Sequence, residues 1–504
     1  MRDFLADAAQ TDPDAPALVL SYFAHLGGHY ARYSFGRLNK IVALLALRLA
    51  ASGVKPGDRV GVLADNAQRT IEIMHALWRI GALVVPLNTR WTPDEIGYAL
   101  DAADVMLLLC DSAHEANARA SAAGRPLFTL TPSARSLVSS LPDMDDFAGS
   151  VADYEARDLD RDRVAAILFT SGTTGRPKGA QLTFGNFHAS ALASRQRIGT
   201  TARDRWLLSL PLYHVGGLAM LVRACIDRSA LVLMTPTRDT DDIARAVAQE
   251  RVTLVSLVPT QLYRLLESGF TAPPSLRLML LGGAAAPVDL LRRCCEAGLP
   301  IAVTYGMTEA ASQVTTMLPD EVCRKPGSVG VALMGTALRI MDAHDQAVEP
   351  GTIGTIRVAG DTVMRGYLGA EAIDGWLDTG DLGYLDADGD LWLVQRRTDL
   401  IVSGGENVYP SEVEAALRSH PDVLDACVVG LPDPEWGQRV AALIVRRDDS
   451  TLDAATLIAF SRQILAGYKQ PRVIAFASEL PLTASGKVRR ADVSALLQKH
   501  GGAS

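Results

Sequence analysis

Twice along this chain a short aliphatic run gives way to a helix-period segment and then to a second aliphatic run. Residues 60–63, 70–80 and 83–86 form one such series, and residues 252–257, 261–266 and 278–281 form the other. Two apolar runs joined through a helix cannot pair as a hairpin. They lie parallel, with the helix crossing back over the sheet. The predicted fold is therefore α/β, with a large N-terminal body of two αβ subdomains. From 352 to 394 the texture changes to short alternating strands with Gly and Asp turns, such as Asp386-Ala-Asp-Gly389, which predicts a small antiparallel β unit. Beyond Asp399 a helix over 411–419, strands over 426–429 and 441–445, and a helix from Asp453 predict a small α+β C-terminal domain. Its boundary falls inside residues 395–404.

Composition narrows the class. The chain has 504 residues, 48% of them apolar and 21% charged, which excludes a disordered or collagenous protein. A net charge of −8 offers no global attraction to nucleic acid or to anionic membranes. Of six cysteines only Cys294 and Cys295 are near neighbours, and no C-x-x-C occurs, so neither a disulfide framework nor a zinc knuckle is expected. Residues 1–10 carry charges at Arg2, Asp3 and Asp7 and lack the apolar core of a signal peptide. Apolar runs such as 105–110 are too short to span a bilayer. A reducing, cytoplasmic location is the simplest account. No two glycines are separated by a single residue, so no G-x-G-x-x-G dinucleotide turn exists.

The chemistry concentrates first in Thr170-Ser-Gly-Thr-Thr-Gly-Arg-Pro-Lys-Gly179, directly after the strand-like run 164–169. Thr170, Ser171, Thr173 and Thr174 supply hydroxyls, Gly172 and Gly175 permit tight turns, and Arg176 and Lys178 add positive charge. Such a loop suits phosphate oxygens. It is not a Walker A loop, because Gly179 rather than Ser or Thr follows Lys178. A lone Gly/Thr loop is more often a surface turn; the density of donors here, after a strand, argues otherwise.

Residues 170–179 resemble the phosphate loop of the ANL superfamily of adenylate-forming enzymes: acyl- and aryl-CoA synthetases, peptide-synthetase adenylation domains and luciferases. Four further segments resemble the family in the same order. They are Tyr305-Gly-Met-Thr-Glu309, Thr379-Gly-Asp-Leu-Gly383, residues 396–410 and Pro481-Leu-Thr-Ala-Ser-Gly-Lys487. The resemblance implies a nucleotide-holding domain over 1–395 and a mobile C-terminal cap over 396–504. It also implies ATP, Mg2+ and coenzyme A as the small molecules handled, with a carboxylic acid as substrate. Neither nucleic acid nor an integral membrane segment is implied, and an oligomer is compatible with it.

Residue by residue, the resemblance implies the following roles. Lys487 meets the carboxylate and the α-phosphate as a mobile cation. Glu309 holds Mg2+, a hard cation suited to oxygen ligands, and Thr308 contacts phosphate. Tyr305, Gly306 and Met307 belong to the same nucleotide segment, with Tyr305 stacking on the purine. Gly282, Gly283 and Ala284, poor in side-chain bulk, lie against the other face. Asp381 accepts from the ribose hydroxyls, supported by Arg396. Gly404 and Gly405 leave room for the narrow pantetheine arm, and the hinge falls at Thr398, where the family more often has Asp or Lys.

Pro211-Leu-Tyr-His-Val-Gly-Gly217 resembles the family's aromatic gate, with His214 between acyl pocket and nucleotide. Arg223 lies in an otherwise apolar stretch and needs an anionic partner, either a second carboxylate on the substrate or an internal Asp or Glu. Thr304, Ser312 and Gln313 can add neutral hydrogen bonds. The wording of these segments, above all Tyr305-Gly-Met-Thr-Glu-Ala-Ala-Ser-Gln313, resembles the 2-succinylbenzoate–CoA ligases of menaquinone synthesis. Within the fold the alternatives are another aryl-, medium-chain or long-chain acyl-CoA synthetase, or a domain serving a carrier protein. A non-catalytic nucleotide-binding regulator is the alternative of a different class. His25 and His29 have a metal-compatible interval but read as solvated loop residues.

Overall fold

The computed structural model describes residues 1–21, 30–130, 154, 157–170, 177–234, 240–342, 344–395, 400–447, 450–481 and 488–501. Both strand–helix–strand series are present. Strand Arg59–Leu63, helix Gln68–Ile80 and strand Leu83–Pro86 form the first, with Val60 opposite Val84 in parallel register. Strand Leu254–Leu257, helix Pro259–Glu267 and strand Leu278–Leu281 form the second, again parallel, with Leu254 opposite Leu278. Helix Gln68–Ile80 is buried on every side from Thr70 onward and stops at Gly81, whose φ of +87° closes the helix in the left-handed region. Its one buried guanidinium, Arg79, is neutralised by both oxygens of Asp3 at 3.0 Å.

The chain divides into two compact units. The first comprises Met1–Thr89, Gly97–Leu168 and Gly179–Val394; the second comprises Arg90–Ile96, Phe169–Lys178 and Gln395–Ser504. A seven-stranded sheet is centred on Leu83–Pro86, between Val164–Thr170 and Arg59–Leu63. A thirteen-stranded sheet has six adjacent strands in parallel: Pro16–Ser21, Ala230–Met234, Arg205–Leu207, Leu254–Leu257, Leu278–Leu281 and Ile301–Met307. Strand Ile301–Met307 then turns the sheet antiparallel by pairing with Ser312–Met317, and Ser328–Ala332 follows. The short alternating strands read from sequence, Gly354–Gly360, Leu377–Leu385 and Leu391–Gln395, continue this sheet through Ser328–Ala332.

The second unit has a five-stranded sheet around the long hairpin Val423–Asp433 and Gly437–Arg446, with Val473–Ala477 added in parallel. Helix Pro410–Arg418 covers one face through Val413 and Leu417, and helix Arg490–Gly501 covers the other through Val493 and Leu497. Helix Ala454–Ile464 starts where Asp453 accepts from the Thr456 N–H, an N-cap at the point where the sequence placed the start of a helix.

One pairing departs from the sequence reading. Cys295 and Cys323 form a disulfide, with Cα atoms 5.8 Å apart. The two cysteines are separated by 28 residues and carry no local motif; helices Val288–Glu296 and Pro319–Arg324, packed beside strand Ile301–Met307, bring them together. Among the described residues no helix is long and apolar enough to cross a membrane.

Candidate active site

The site grows from the ends of two adjacent parallel strands. Parallel pairing between Leu278–Leu281 and Ile301–Met307 stops at Leu281 opposite Val303. Gly282 and Gly283 therefore turn away just where Thr304, Tyr305, Gly306 and Met307 run past their neighbour. Ligands in open α/β sheets bind at such carboxyl ends. The fit is close: a Cβ on Gly282 would lie 2.8 Å from the Thr304 methyl, and Gly283 has a φ of +79°. Ala284 is half-buried in the same turn.

Gly306 is fixed by a similar constraint. A Cβ there would lie 1.9 Å from the Ser312 carbonyl oxygen, so only glycine permits the bulge at which this strand meets Ser312–Met317. The connecting turn, Thr308–Ala310, leads into Ala311 and Ser312 with φ of +50° and +107°. Two non-glycine residues in that region hold strain that the surroundings must offset. One restraint is Ser190, whose hydroxyl donates to the Ala311 carbonyl at 2.7 Å.

Around this strand lie the residues that the sequence led us to expect at the nucleotide. The Tyr305 hydroxyl donates to Asp381 Oδ2 at 2.7 Å, and Asp381 is only 9% exposed on strand Leu377–Leu385. The Asp381 N–H is itself held by Thr379 Oγ1 at 3.1 Å. Glu309 Oε1 accepts from the Tyr367 hydroxyl at 2.6 Å, and its backbone carbonyl accepts from the Met364 N–H. A half-buried carboxylate with its orientation set by a phenol, next to the Thr308 hydroxyl, fits Mg2+. That cation takes one or two protein oxygens and fills the rest of its octahedron with phosphate and water.

His214 caps helix Val215–Asp227, half-buried, with the Tyr213 ring edge-on at 4.7 Å. Its loop is pinned by Asn66, whose amide donates to Leu210 O and accepts from the Leu212 N–H, both at 2.8 Å. Gly217 must be glycine because a Cβ would meet Pro211 O at 2.2 Å. On the same helix Arg223 is 2% exposed and donates to Ser190 Oγ at 3.4 Å, while its Nε has no partner. Burial lowers its pKa to about 10, with the Asp227 carboxylate working the other way, so the guanidinium remains charged at neutral pH. Gln313 donates to Thr316, Thr316 to Thr304, and Thr304 to Thr315 O; Gln313 Oε1 is buried without a partner. Ser312 stands half-buried at the strained turn.

Thr170 ends strand Val164–Thr170 and Lys178 begins strand Lys178–Thr183, both half-buried. Ser171, Gly172, Thr173, Thr174, Gly175, Arg176, Arg396, Thr398 and Lys487 lie outside the described residues, as do His25 and His29. In the second unit Gly404 and Gly405 form the turn between Ile401–Ser403 and Glu406–Val408, with φ of +59° and +83°. A Cβ on Gly404 would meet the Trp436 ring at 2.7 Å, so the fold already demands glycine there, before any ligand does. Asn66, Ser190 and Tyr367 went unread in the sequence. A lone Asn, Ser or Tyr has no spacing signal, and each acts across more than 50 residues of chain.

Among the described residues two clusters have metal-compatible geometry, Asp65–Asp111–His114 and Asp386–Asp388–Asp390, and neither includes Glu309. The second is filled by the Lys325 ammonium, 2.6–2.9 Å from all three carboxylates.

Residues 5–368 match the family described as AMP-binding enzyme, and residues 412–487 match the AMP-binding enzyme C-terminal domain. The chain is 37% identical over 496 residues to the 2-succinylbenzoate–CoA ligase of Bacillus licheniformis, covering 97% of this chain and 98% of that one. Its structure is similar to a double mutant of Bacillus subtilis o-succinylbenzoate CoA synthetase bound with its product analogue OSB-NCoA, with TM-score 0.88, 35% identity and 98% of each chain covered. The Bacillus subtilis synthetase in complex with ATP and magnesium ion matches with TM-score 0.71 and 34% identity over 99% of each chain. Matched along nearly its whole length, the chain belongs to the AMP-binding enzymes, the adenylate-forming ANL group that its motifs resemble.

Proposed function

We propose that this protein is an ATP-dependent carboxylate–CoA ligase acting through an acyl-adenylate, with 2-succinylbenzoate as its carboxylic acid. In the first step a carboxylate oxygen attacks the α-phosphorus of ATP, an acyl–phosphate bond forms, and pyrophosphate leaves. In the second the CoA thiol attacks the acyl carbon and AMP leaves. What carries the nucleotide half of this assignment is the pairing of Tyr305 with Asp381 beside the Gly282–Gly283 turn. It gives a purine a flat, side-chain-poor wall and the ribose an oriented acceptor.

The other residues divide the remaining work. Mg2+ bound at Glu309 and Thr308 would supply charge neutralisation at the phosphates. Thr170, the loop from Ser171 to Gly175, Lys178 and Arg396 serve the phosphates and ribose, and Lys487 the α-phosphate and carboxylate. His214 screens the acyl pocket from the nucleotide. A dicarboxylate substrate is supported by the buried charge of Arg223 and its unpartnered Nε–H donor. Residues 1–395 act as the nucleotide-holding body and 396–504 as the mobile cap, with Arg90–Ile96 and Phe169–Lys178 grouped with the cap in the arrangement described, in the cytoplasm, where ATP and CoA are both supplied.

A pyrophosphate-release screen tests the assignment. Purified protein with ATP and Mg2+ is offered 2-succinylbenzoate, benzoate, decanoate and acetate, with and without CoA. Selective turnover of 2-succinylbenzoate to its CoA thioester is expected. Preference for a monocarboxylate would overturn the substrate, and release that no acid stimulates would overturn the ligase reading.

A further inference from the structure

The second unit holds a buried charge cluster that none of the chemistry above employs. Lys469 is 1% exposed, yet its ammonium lies 2.5 Å from Glu95 Oε1 and 2.7 Å from Glu412 Oε1. The rings of Trp91 and Tyr468 flank it, at 5.9 and 5.6 Å from Nζ to the centroids. Burial disfavours the ammonium, but the two carboxylates prevail and hold its pKa above the ordinary lysine value. Burial likewise pushes the Glu412 carboxyl up, against the pull of Lys469. Buried ion clusters seldom stabilise a fold more than well-packed apolar side chains would. What this one does supply is fixed geometry.

The geometry points to a particular loop. Glu412 sits in the first turn of helix Pro410–Arg418, which begins two residues after strand Glu406–Val408. At the other end of that strand, Arg90 Nη1 meets Glu406 Oε1 at 2.9 Å, with its guanidinium over the Tyr468 ring at 4.6 Å. The Trp91 indole donates to the Tyr468 hydroxyl at 3.3 Å. Arg90, Trp91 and Glu95 all belong to one short segment, whose turn is held by the Thr92 N–H donating to Glu95 Oε2 at 2.7 Å. Both ends of strand Glu406–Val408 are thus tied to this segment, and the Gly404–Gly405 turn hangs directly from the strand.

We propose that Lys469 is a positioning residue for thioester formation: by clasping Glu95 and Glu412 together it sets the strand that carries the Gly404–Gly405 turn. This rests on the reading of that turn as lining the path of the CoA pantetheine arm. A misplacement of about 1 Å in such a path costs on the order of 100-fold in rate.

The test separates the two half-reactions in the full-length enzyme. Lys469→Met removes the charge at similar volume; Lys469→Arg keeps it. For Lys469→Met, conversion of supplied acyl-adenylate by CoA is expected to fall about 10- to 100-fold. Pyrophosphate release without CoA should change by less than about threefold, and Lys469→Arg should recover most of the transfer rate. Equal losses in both half-reactions, or unchanged transfer, would overturn the proposal. If thermal unfolding shows that Lys469→Met does not fold, Glu95→Gln is read by the same criteria. Gly404→Val distinguishes the underlying reading: intact transfer in that variant defeats the pantetheine path. Blocked transfer there, with normal transfer in Lys469→Met, defeats the role of Lys469 alone.

Discussion

Tyr305 and Asp381 are 76 residues apart, and the hydroxyl of the first donates to the carboxylate of the second at 2.7 Å. The bond joins the last parallel strand of the large sheet to an antiparallel strand four places further along the same sheet. Tyr305 therefore orients the Asp381 carboxylate, the group proposed above to receive the ribose.

Removing that bond should act on the nucleotide. Tyr305→Phe keeps the ring and loses a hydrogen bond to a charged group, worth about 1.5–3 kcal/mol. The expected result is a KM for ATP raised about 10-fold or more, with the KM for CoA little changed. An unaltered KM for ATP would show that Asp381 needs no such support.

The loop before helix Val215–Asp227, proposed above as the acyl gate, should be sensitive at Gly217 and, more mildly, at Asn66. A methyl at 217 would lie 2.2 Å from Pro211 O and 2.7 Å from Leu210 O, both backbone atoms that cannot swing aside. Gly217→Ala is expected to raise the KM for the acid substrate and lower the melting temperature together. Asn66→Ala deletes two half-buried hydrogen bonds and should cost about 1–3 kcal/mol in denaturant unfolding. Normal acid KM in Gly217→Ala would remove the loop from the acyl site.

Arg223 offers a comparison of two substrates. Arg223→Ala should raise the KM for a dicarboxylate about 10-fold or more relative to benzoate, the scale of a lost charge-assisted hydrogen bond. An unchanged ratio would mean that Arg223 serves only the packing of its helix against Ser190 and the field of Asp227.

Stability should also depend on pH through His75. The ring is 4% exposed, edge-on to Trp78 at 5.4 Å, and burial lowers its pKa to about 4, with Asp3 opposing and Arg79 reinforcing the shift. Between pH about 6.5 and about 4 the unfolded chain binds the extra proton, so stability falls as pH drops through that window, by about 3 kcal/mol at most. His75→Leu should flatten this acid limb in denaturant unfolding at pH 7 and pH 5. An identical pH difference in both proteins would assign the acid sensitivity elsewhere.

Much of this architecture was legible in advance because its causes are local. The apolar runs at 60–63, 83–86 and 278–281 are strands in the structure, and the helix expected from Asp453 begins there. Gly282, expected to leave room for a purine, also leaves no room for a Cβ against the Thr304 methyl. The meaning of Gly404 shifted: its own neighbour Trp436 and its left-handed φ suffice to require glycine.

By itself, then, the sequence determined the alternation of strands and helices, the order of the nucleotide motifs and membership of the AMP-binding enzymes. Each of these depends on residues close together in the chain, where periodicity and turn chemistry act. Tertiary structure alone decided that Tyr367 orients Glu309 and that Asn66 pins the loop through Leu210 and Leu212. It alone joined Cys295 to Cys323 and sealed Lys469 between Glu95 and Glu412. Those are contacts between segments 28 to 374 residues apart. Only the packing of whole elements brings such side chains within the few ångströms over which hydrogen bonds and ion pairs act.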